Sequence, residues 1–241
     1  MAYFPFMVDI KGRQCLVVGG GSIALHKVRI LLDFEVNIRV VAPEICEPLR
    51  KLAEESESVF AEMGRGISQG NNMVQGSRLK ENSGQEKYVR QVELVEREFQ
   101  ECDIDGIDFV VAATDDEGLN YHISDLCRQK NILINAVDMK EACSFIFPAM
   151  IKDKDMLIAV SSGGQSPAAA AYVKRKIRKY IPGYYGEMIE QLGEYRDYIL
   201  EHVDTAKKRK EIFNKLLEYG DTHEGEIPEK IVKQIITETV E

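Results

Sequence analysis

The 241-residue sequence contains no Cys-x-x-C pair, no H-E-x-x-H arrangement and no cluster of cysteine and histidine at metal-ligand spacing. Its five cysteines (Cys15, Cys46, Cys102, Cys127 and Cys143) are odd in number and widely scattered, and His26, His122, His202 and His223 are dispersed. These absences argue against a disulfide framework and a thiolate metal site, and they lead us to expect a reducing, cytoplasmic compartment and no bound metal. No stretch approaches the ~20 uninterrupted apolar residues needed to cross a bilayer. The start, Met1-Ala2-Tyr3-Phe4-Pro5-Phe6, lacks a basic segment ahead of an apolar core, so a soluble, unprocessed chain with no membrane partner is expected. Positive charge is also scarce: 31 Lys and Arg stand against 40 Asp and Glu, a net charge of −9. That balance gives no support to nucleic-acid binding by counterion release, and an anionic ligand has to find a local cation.

Alternating strands and helices fill the first half. Gln14-Cys15-Leu16-Val17-Val18 is short, apolar and β-branched, and it stops at Gly19-Gly20-Gly21, as a buried parallel strand does on entering a tight turn. Over residues 22–34, Ile23, Ala24, Val28, Leu31 and Leu32 recur at helical spacing, with Lys27, Arg29 and Asp33 on the other side. Residues 37–41 form a second strand, closed by Ala42-Pro43 because proline cannot donate into a ladder. A helix is predicted over 47–57, after which residues 62–90 turn to Gly, Asn, Gln and Ser, the composition of a mobile insertion. Strands follow at 91–95, 109–113 and 132–137, with a helix over 119–129. The pattern predicts an α/β fold built on a parallel, doubly wound sheet.

Beyond Asp138 the pattern changes. Residues 145–151 and 156–161 read as an antiparallel hairpin joined by Lys152-Asp153-Lys154-Asp155. Ser166 is placed to cap a helix with Pro167 at its first position. The remainder is helical, broken near 182–183, around Thr205 and over 220–228. Met188, Leu192, Tyr195 and Ile199 form one stripe that needs a partner, in the same chain or in a second copy.

Gly19-Gly20-Gly21-Ser22-Ile23-Ala24 fits G-x-G-x-x-A between a strand and a helix. Gly19 permits the turn, Gly21 lets amides approach a pyrophosphate, and Ala24 allows close helix–strand contact; the helix N-terminus at Ser22 and Ile23 favours negative charge. A glycine turn with no ligand is the plainer alternative. The acidic residue usual at the end of the second strand is displaced, so Pro43 and Glu44 are the candidates for an adenosine ribose, while Arg39 would suit a 2′-phosphate. Thr114-Asp115-Asp116 follows the fourth strand at the ligand-binding edge, where the same residues could instead cap a helix. Asn135-Ala136-Val137-Asp138 sets a carboxylate at the tip of the last parallel strand, and Asp138 is the catalytic candidate, able to take a proton or simply to cap the next turn. Ser161, Ser162 and Gly163, with Asn135, are candidate substrate contacts through hydroxyl and amide donors. Lys174-Arg175-Lys176 and Arg178-Lys179 are basic; they either complement a helix dipole or capture a polyanion.

Taken in order, Phe4-Pro5-Phe6-Met7-Val8-Asp9, Val17-Val18-Gly19-Gly20-Gly21, Lys27-Val28-Arg29, Val41-Ala42-Pro43-Glu44, Ala112-Ala113-Thr114-Asp115-Asp116, Asn135-Ala136-Val137-Asp138, Ser144-Phe145-Ile146-Phe147-Pro148-Ala149 and Ala159-Val160-Ser161-Ser162-Gly163-Gly164-Gln165-Ser166-Pro167 resemble the precorrin-2 dehydrogenase and sirohaem synthase dehydrogenase-module family, over about three quarters of the chain. The resemblance implies a Rossmann domain over 1–116 with an insertion at about 62–90, a middle segment over 117–165 that helps build a homodimer, and a helical domain over 166–241. It implies NAD⁺ as hydride acceptor, precorrin-2 as substrate and sirohydrochlorin as product. The family's key aspartate falls on Asp138 and its serine-rich loop on Ser161 and Ser162. Some members also insert ferrous iron into sirohydrochlorin, so a bifunctional dehydrogenase and ferrochelatase is one alternative; a non-catalytic NAD(H)-binding regulator or tetrapyrrole carrier is another. Two departures stand out: residues 62–90 exceed the family's usual length there, and no methyltransferase module is recognisable, so precorrin-2 is expected to be made elsewhere.

Overall fold

The computed structural model describes residues 3–64, 78–80, 86–88 and 92–240, and the chain divides into two units, Met1–Phe147 and Pro148–Glu241. The first unit contains β1 (Gln14–Val18), α1 (Ser22–Leu32), β2 (Asn37–Ala42), α2 (Glu47–Gly64), β3 (Arg78–Lys80), β4 (Glu86–Tyr88), β5 (Val92–Glu96), β6 (Phe109–Ala112), α3 (Glu117–Gln129) and β7 (Leu133–Ala136). Five of these strands form one parallel sheet in the order β5-β2-β1-β6-β7. The winding reverses between β1 and β6, which is where ligands enter open α/β sheets.

The apolar strands are explained by burial on both faces. On one face Val17, Ile38, Val40, Phe109 and Val111 pack with Ala24, Val28 and Leu31 of α1 and with Leu49 and Ala53 of α2. On the other, Leu16, Val18, Val110, Ala112, Ile134 and Ala136 pack with Ile123 and Cys127 of α3. Each fully buried aliphatic side chain contributes about 1.5–3 kcal/mol by leaving water, so the sheet edge is a rigid platform for whatever projects from it.

The expected alternation is present, with shifts at element ends. Helix α2 continues to Gly64, and α3 begins at Glu117 because the Asp116 carboxylate accepts the Leu119 amide at 3.0 Å. Most of the predicted insertion at 62–90 lies outside the described residues, as do Met1, Ala2 and Gln91; within that insertion β3 and β4 pair antiparallel. The boundary expected at 116 falls inside the sheet unit, because α3 and β7 complete the same sheet and core. The first hairpin strand starts at Ala149 rather than 145, since Phe145 and Phe147 pack against the first core instead.

The second unit holds β8 (Ala149–Asp153) and β9 (Met156–Val160), an antiparallel pair, then α4 (Pro167–Arg178), α5 (Tyr185–His202), α6 (Ala206–Thr222) and α7 (Glu229–Val240). Ser166 caps α4, accepting from Ala169 N at 3.1 Å, with Pro167 in the first turn. The stripe Met188, Leu192, Tyr195 and Ile199 finds its partner in the same chain, packing with Ile212, Leu216, Ile227 and Val232. No helix among the described residues is long and apolar enough to cross a membrane.

One polar group is built into the connection from β5 to β6. Asp103 is 4 % exposed and accepts from both terminal guanidinium nitrogens of Arg97, at 2.8 and 2.5 Å, and from the Gln100 amide at 2.8 Å. The Arg97 guanidinium holds its carboxyl below the usual carboxylate range. Asp103→Ala leaves the Arg97 guanidinium and the Gln100 amide without this acceptor and should destabilise the fold by about 3 kcal/mol at neutral pH. A depressed carboxyl contributes stability above its unfolded value of about 3.9 and loses it below. The gap in urea midpoint between wild type and variant should therefore narrow as the pH is lowered from about 5 to about 3; a constant gap would contradict this account.

Candidate functional site

The turns that leave β1, β6 and β7 continue the sheet's hydrogen bonding beyond the strand ends. Gly19 N donates to Val41 O at 3.0 Å, Ala113 N to Val18 O at 2.7 Å, and Val137 N to Ala112 O at 2.9 Å. Because all five strands are parallel, these bonds put the glycine turn, the Thr114 turn and the Asp138 turn on one edge of the sheet. Asp138 therefore does not lie on the opposite edge from the glycines.

The three glycines have separate tasks. Gly19 adopts φ +123°, and a Cβ there would run into the Ala113 carbonyl oxygen; at Gly20 it would run into the Glu44 carbonyl oxygen. At Gly21 a Cβ would meet nothing within 4 Å. Gly21 is also the N-cap of α1, so the first-turn amides of the exposed Ser22 and Ile23 receive no side-chain cap from it. Ala24 is fully buried and lets α1 lie close to the sheet. An uncapped helix N-terminus beneath an open glycine fits a pyrophosphate chemically and sterically.

Around the second strand's end, Pro43 and Glu44 are exposed. Arg39, the expected alternative for a 2′-phosphate, lies mid-strand with its Nε 2.7 Å from Glu93 Oε2, in an ion pair exposed to solvent. Arg50 of α2 is held by both carboxylate oxygens of Glu96.

Thr114 and Asp116 are engaged within the protein. The Thr114 hydroxyl donates to Asn120 Oδ1 at 2.8 Å, while Asn120 Nδ2 donates to Thr114 O at 2.9 Å. Asp116 caps α3, leaving Asp115 exposed at the edge. The same holds for Asn135: it is buried, and its amide donates to Phe145 O at 3.0 Å, so it ties down the chain after β7 instead of facing a ligand as expected. In the second unit, Ser162 Oγ accepts from Ser166 N at 2.9 Å and Ser161 Oγ accepts from Gly163 N at 3.0 Å, with Gly163 at φ +62°. Those two hydroxyls shape their own loop.

Asp138 is exposed and sits at φ +60°, in the left-handed region that Asp and Asn tolerate better than most residues. Its turn is fixed by Cys143: the Ala136 amide donates to Cys143 Sγ at 3.2 Å and the thiol lies 3.1 Å from Ala136 O. Burial pushes this thiol's pKa up, as befits a packed group rather than a nucleophile. Ser144 continues the clamp, its Oγ accepting from Ile134 N at 2.8 Å and its amide donating to Ile134 O at 2.8 Å.

The sequence pattern puts Lys27 on the outward side of α1, and the structure corrects this. It is half-buried, with its ammonium 4.1 Å from the centre of the Phe147 ring. Burial lowers its pKa, and the negative charges available to Cys143 and Asp138 pull it back up. The available signal was its position, three residues after buried Ala24 and next to buried Val28; what hid it was Phe147, which comes from far along the chain.

Comparisons with known proteins identify the family and the fold. The family model described as "Putative NAD(P)-binding" matches residues 6–149, and that described as "Sirohaem biosynthesis protein central" matches residues 153–180. A siroheme synthase of Thioalkalivibrio sulfidiphilus is 33% identical over 218 residues, covering 90% of this chain and 38% of that protein. One from Pseudomonas aeruginosa is 32% identical over 232 residues, covering 96% of this chain and 41% of that protein. The chain thus spans about two fifths of the length of these relatives. Among solved structures, SirC, a precorrin-2 dehydrogenase, superposes with a TM-score of 0.68 at 19% identity, covering 98% of both chains, and shows the same fold.

The glycine geometry separates folding from binding. Gly20→Ala, which forces a Cβ into a backbone carbonyl, should destabilise by about 3 kcal/mol or more. Gly21→Ala should leave stability within about 0.5 kcal/mol while weakening dinucleotide binding about tenfold or more, because its methyl fills the open approach to the helix amides. Thermal melts and calorimetric titration of the two variants check both halves; full dinucleotide affinity in Gly21→Ala would contradict the assignment.

Proposed function

We propose, from the premise that this chain belongs to the NAD(P)-binding family matched over residues 6–149, that it is an NAD-dependent dehydrogenase oxidising precorrin-2 to sirohydrochlorin on the route to sirohaem. The observation that carries this reading is the single sheet edge shared by the open glycine turn and Asp138. The names of its relatives, siroheme synthase and precorrin-2 dehydrogenase, supply the substrate class.

In this reading Gly19, Gly21 and the amides of Ser22 and Ile23 hold the pyrophosphate, and the small, buried Ala24 keeps the helix close beneath it. Glu44, exposed just past β2, receives the ribose hydroxyls. Arg39 and Arg50 are paired with Glu93 and Glu96, which supports a preference for NAD over NADP in this reading. A bound nicotinamide supplies the hydride acceptor.

Removing two electrons and two hydrogens from the macrocycle releases one hydride and one proton. Asp138 is the group assigned to the proton: its carboxylate projects from the edge on a turn held by Cys143, ready to accept from a ring carbon or pyrrolic nitrogen. Asp115, exposed on the neighbouring turn, lines the same edge. Thr114 and Asn120 hold the Asp115 turn from within.

Incubation of the chain with precorrin-2 and NAD⁺ should yield sirohydrochlorin absorbance and NADH in equal amounts. Asp138→Asn, which keeps the left-handed backbone comfortable, should lower turnover at least about 100-fold while leaving NAD⁺ affinity within about twofold. kcat/KM should favour NAD⁺ over NADP⁺ by about tenfold or more. Formation of neither product by the wild type would show a carrier or regulator instead of an enzyme.

A further inference from the structure

We propose that Lys27 receives a carboxylate of the substrate next to Asp138, and so determines which edge of the macrocycle is presented to that aspartate. The inference rests on the dehydrogenase reading and deepens it, because it names a specificity-determining residue for that site.

Lys27 projects from a rigid position. Its neighbours Ala24 and Val28 are fully buried, and its ammonium lies over the Phe147 ring at 4.1 Å. Phe147 is itself held: its ring centre is 5.4 Å from that of Phe145, which meets Phe109 edge-on at 6.1 Å, and Asn135 donates to the Phe145 carbonyl at 3.0 Å. The side chain therefore has a defined place beside the chain that leaves β7.

The charge at that place is not consumed. Among the described residues no carboxylate oxygen forms an ion pair with Lys27 within 4.0 Å. The two groups whose fields act on it are Cys143 and Asp138. Of these, Cys143 is buried with its Sγ engaged by the Ala136 backbone, whereas the Asp138 carboxylate is exposed. A partly desolvated ammonium that has given up hydration without gaining an ion pair is a receptor for an incoming anion.

The surroundings make such a cation necessary. The side chains exposed along this edge include Glu44, Asp115, Asp116, Glu117 and Asp138, all acidic, in a chain of net charge −9. A carboxylate-rich macrocycle would be repelled from these unless a cation beside Asp138 held one of its acidic arms. His26 and Arg29, on the same helix, are exposed to solvent, which makes Arg29 the fitting control for loss of one positive charge without loss of this position.

Lys27→Met keeps the apolar stem over Phe147 and removes the charge; Arg29→Met removes an equal charge nearby. With precorrin-2 and NAD⁺, Lys27→Met should raise the KM for precorrin-2 about tenfold or more, with kcat within about threefold and the KM for NAD⁺ unchanged, while Arg29→Met stays within about twofold of wild type on every constant. Binding of uroporphyrin, a flat carboxylate-rich probe, followed by its fluorescence without NAD⁺, should weaken to the same degree in Lys27→Met alone. Equal behaviour of the two variants, or a loss confined to kcat, would overturn the role assigned to Lys27. If the wild type forms no NADH, the dehydrogenase reading fails, and the probe still decides for Lys27: selective weakening supports it, and unchanged or absent binding overturns it.

Discussion

Three backbone hydrogen bonds past the strand ends bring three turns to one edge of the sheet. Gly19 to Val41, Ala113 to Val18 and Val137 to Ala112 extend the parallel ladder beyond the ends of β1, β6 and β7, so the residues that follow cannot splay apart. Each bond contributes only about 1 kcal/mol net, but its geometric consequence is larger. The amides of the first helix, the Asp115 turn and Asp138 are held at fixed relative positions by a core packed on both faces of the sheet. Without that continuation the glycine motif and the aspartate would be two unrelated surface features.

A second constraint supports the first from outside the ladder. After β7 the chain folds back along the strand's free side, where Cys143, Ser144 and Phe145 satisfy Ala136, Ile134 and Asn135. This strap fixes Asp138 in a left-handed turn and carries Phe147 against Lys27. The buried thiol, two hydroxyl and amide contacts and an aromatic triad therefore act together as positioning elements.

Most of the sheet was legible in the sequence because parallel strands buried on both faces are nearly continuous apolar runs, and the turns after them are marked by Gly19-Gly20-Gly21 and Thr114-Asp115-Asp116. Helix ends were legible where a side chain does the capping, as Ser166 does. Local pattern failed where a distant residue decides the outcome. Phe145 and Phe147 read as strand residues but pack into the first unit's core, and Lys27 read as a solvated face until Phe147 covered it. The partner of Arg39, Glu93 directly across the ladder, is likewise invisible to local pattern. Asn135 and Thr114 carried the right chemistry for ligand contact, yet their hydrogen-bonding groups are engaged inside the protein, a distinction that spacing does not encode. The separation of the sheet unit from Pro148–Glu241 was likewise missed, because a boundary is set by which core each side chain joins.

The claim on which the rest turns is that the dinucleotide turn and Asp138 face one cleft edge, and amide hydrogen exchange with and without NAD⁺ tests it most directly. The account predicts that NAD⁺ slows exchange in the segment from Gly19 to Leu25 and, in the same titration, in the segment from Val137 to Cys143. Protection confined to the glycine turn, with the Asp138 turn exchanging at its free rate, would contradict it.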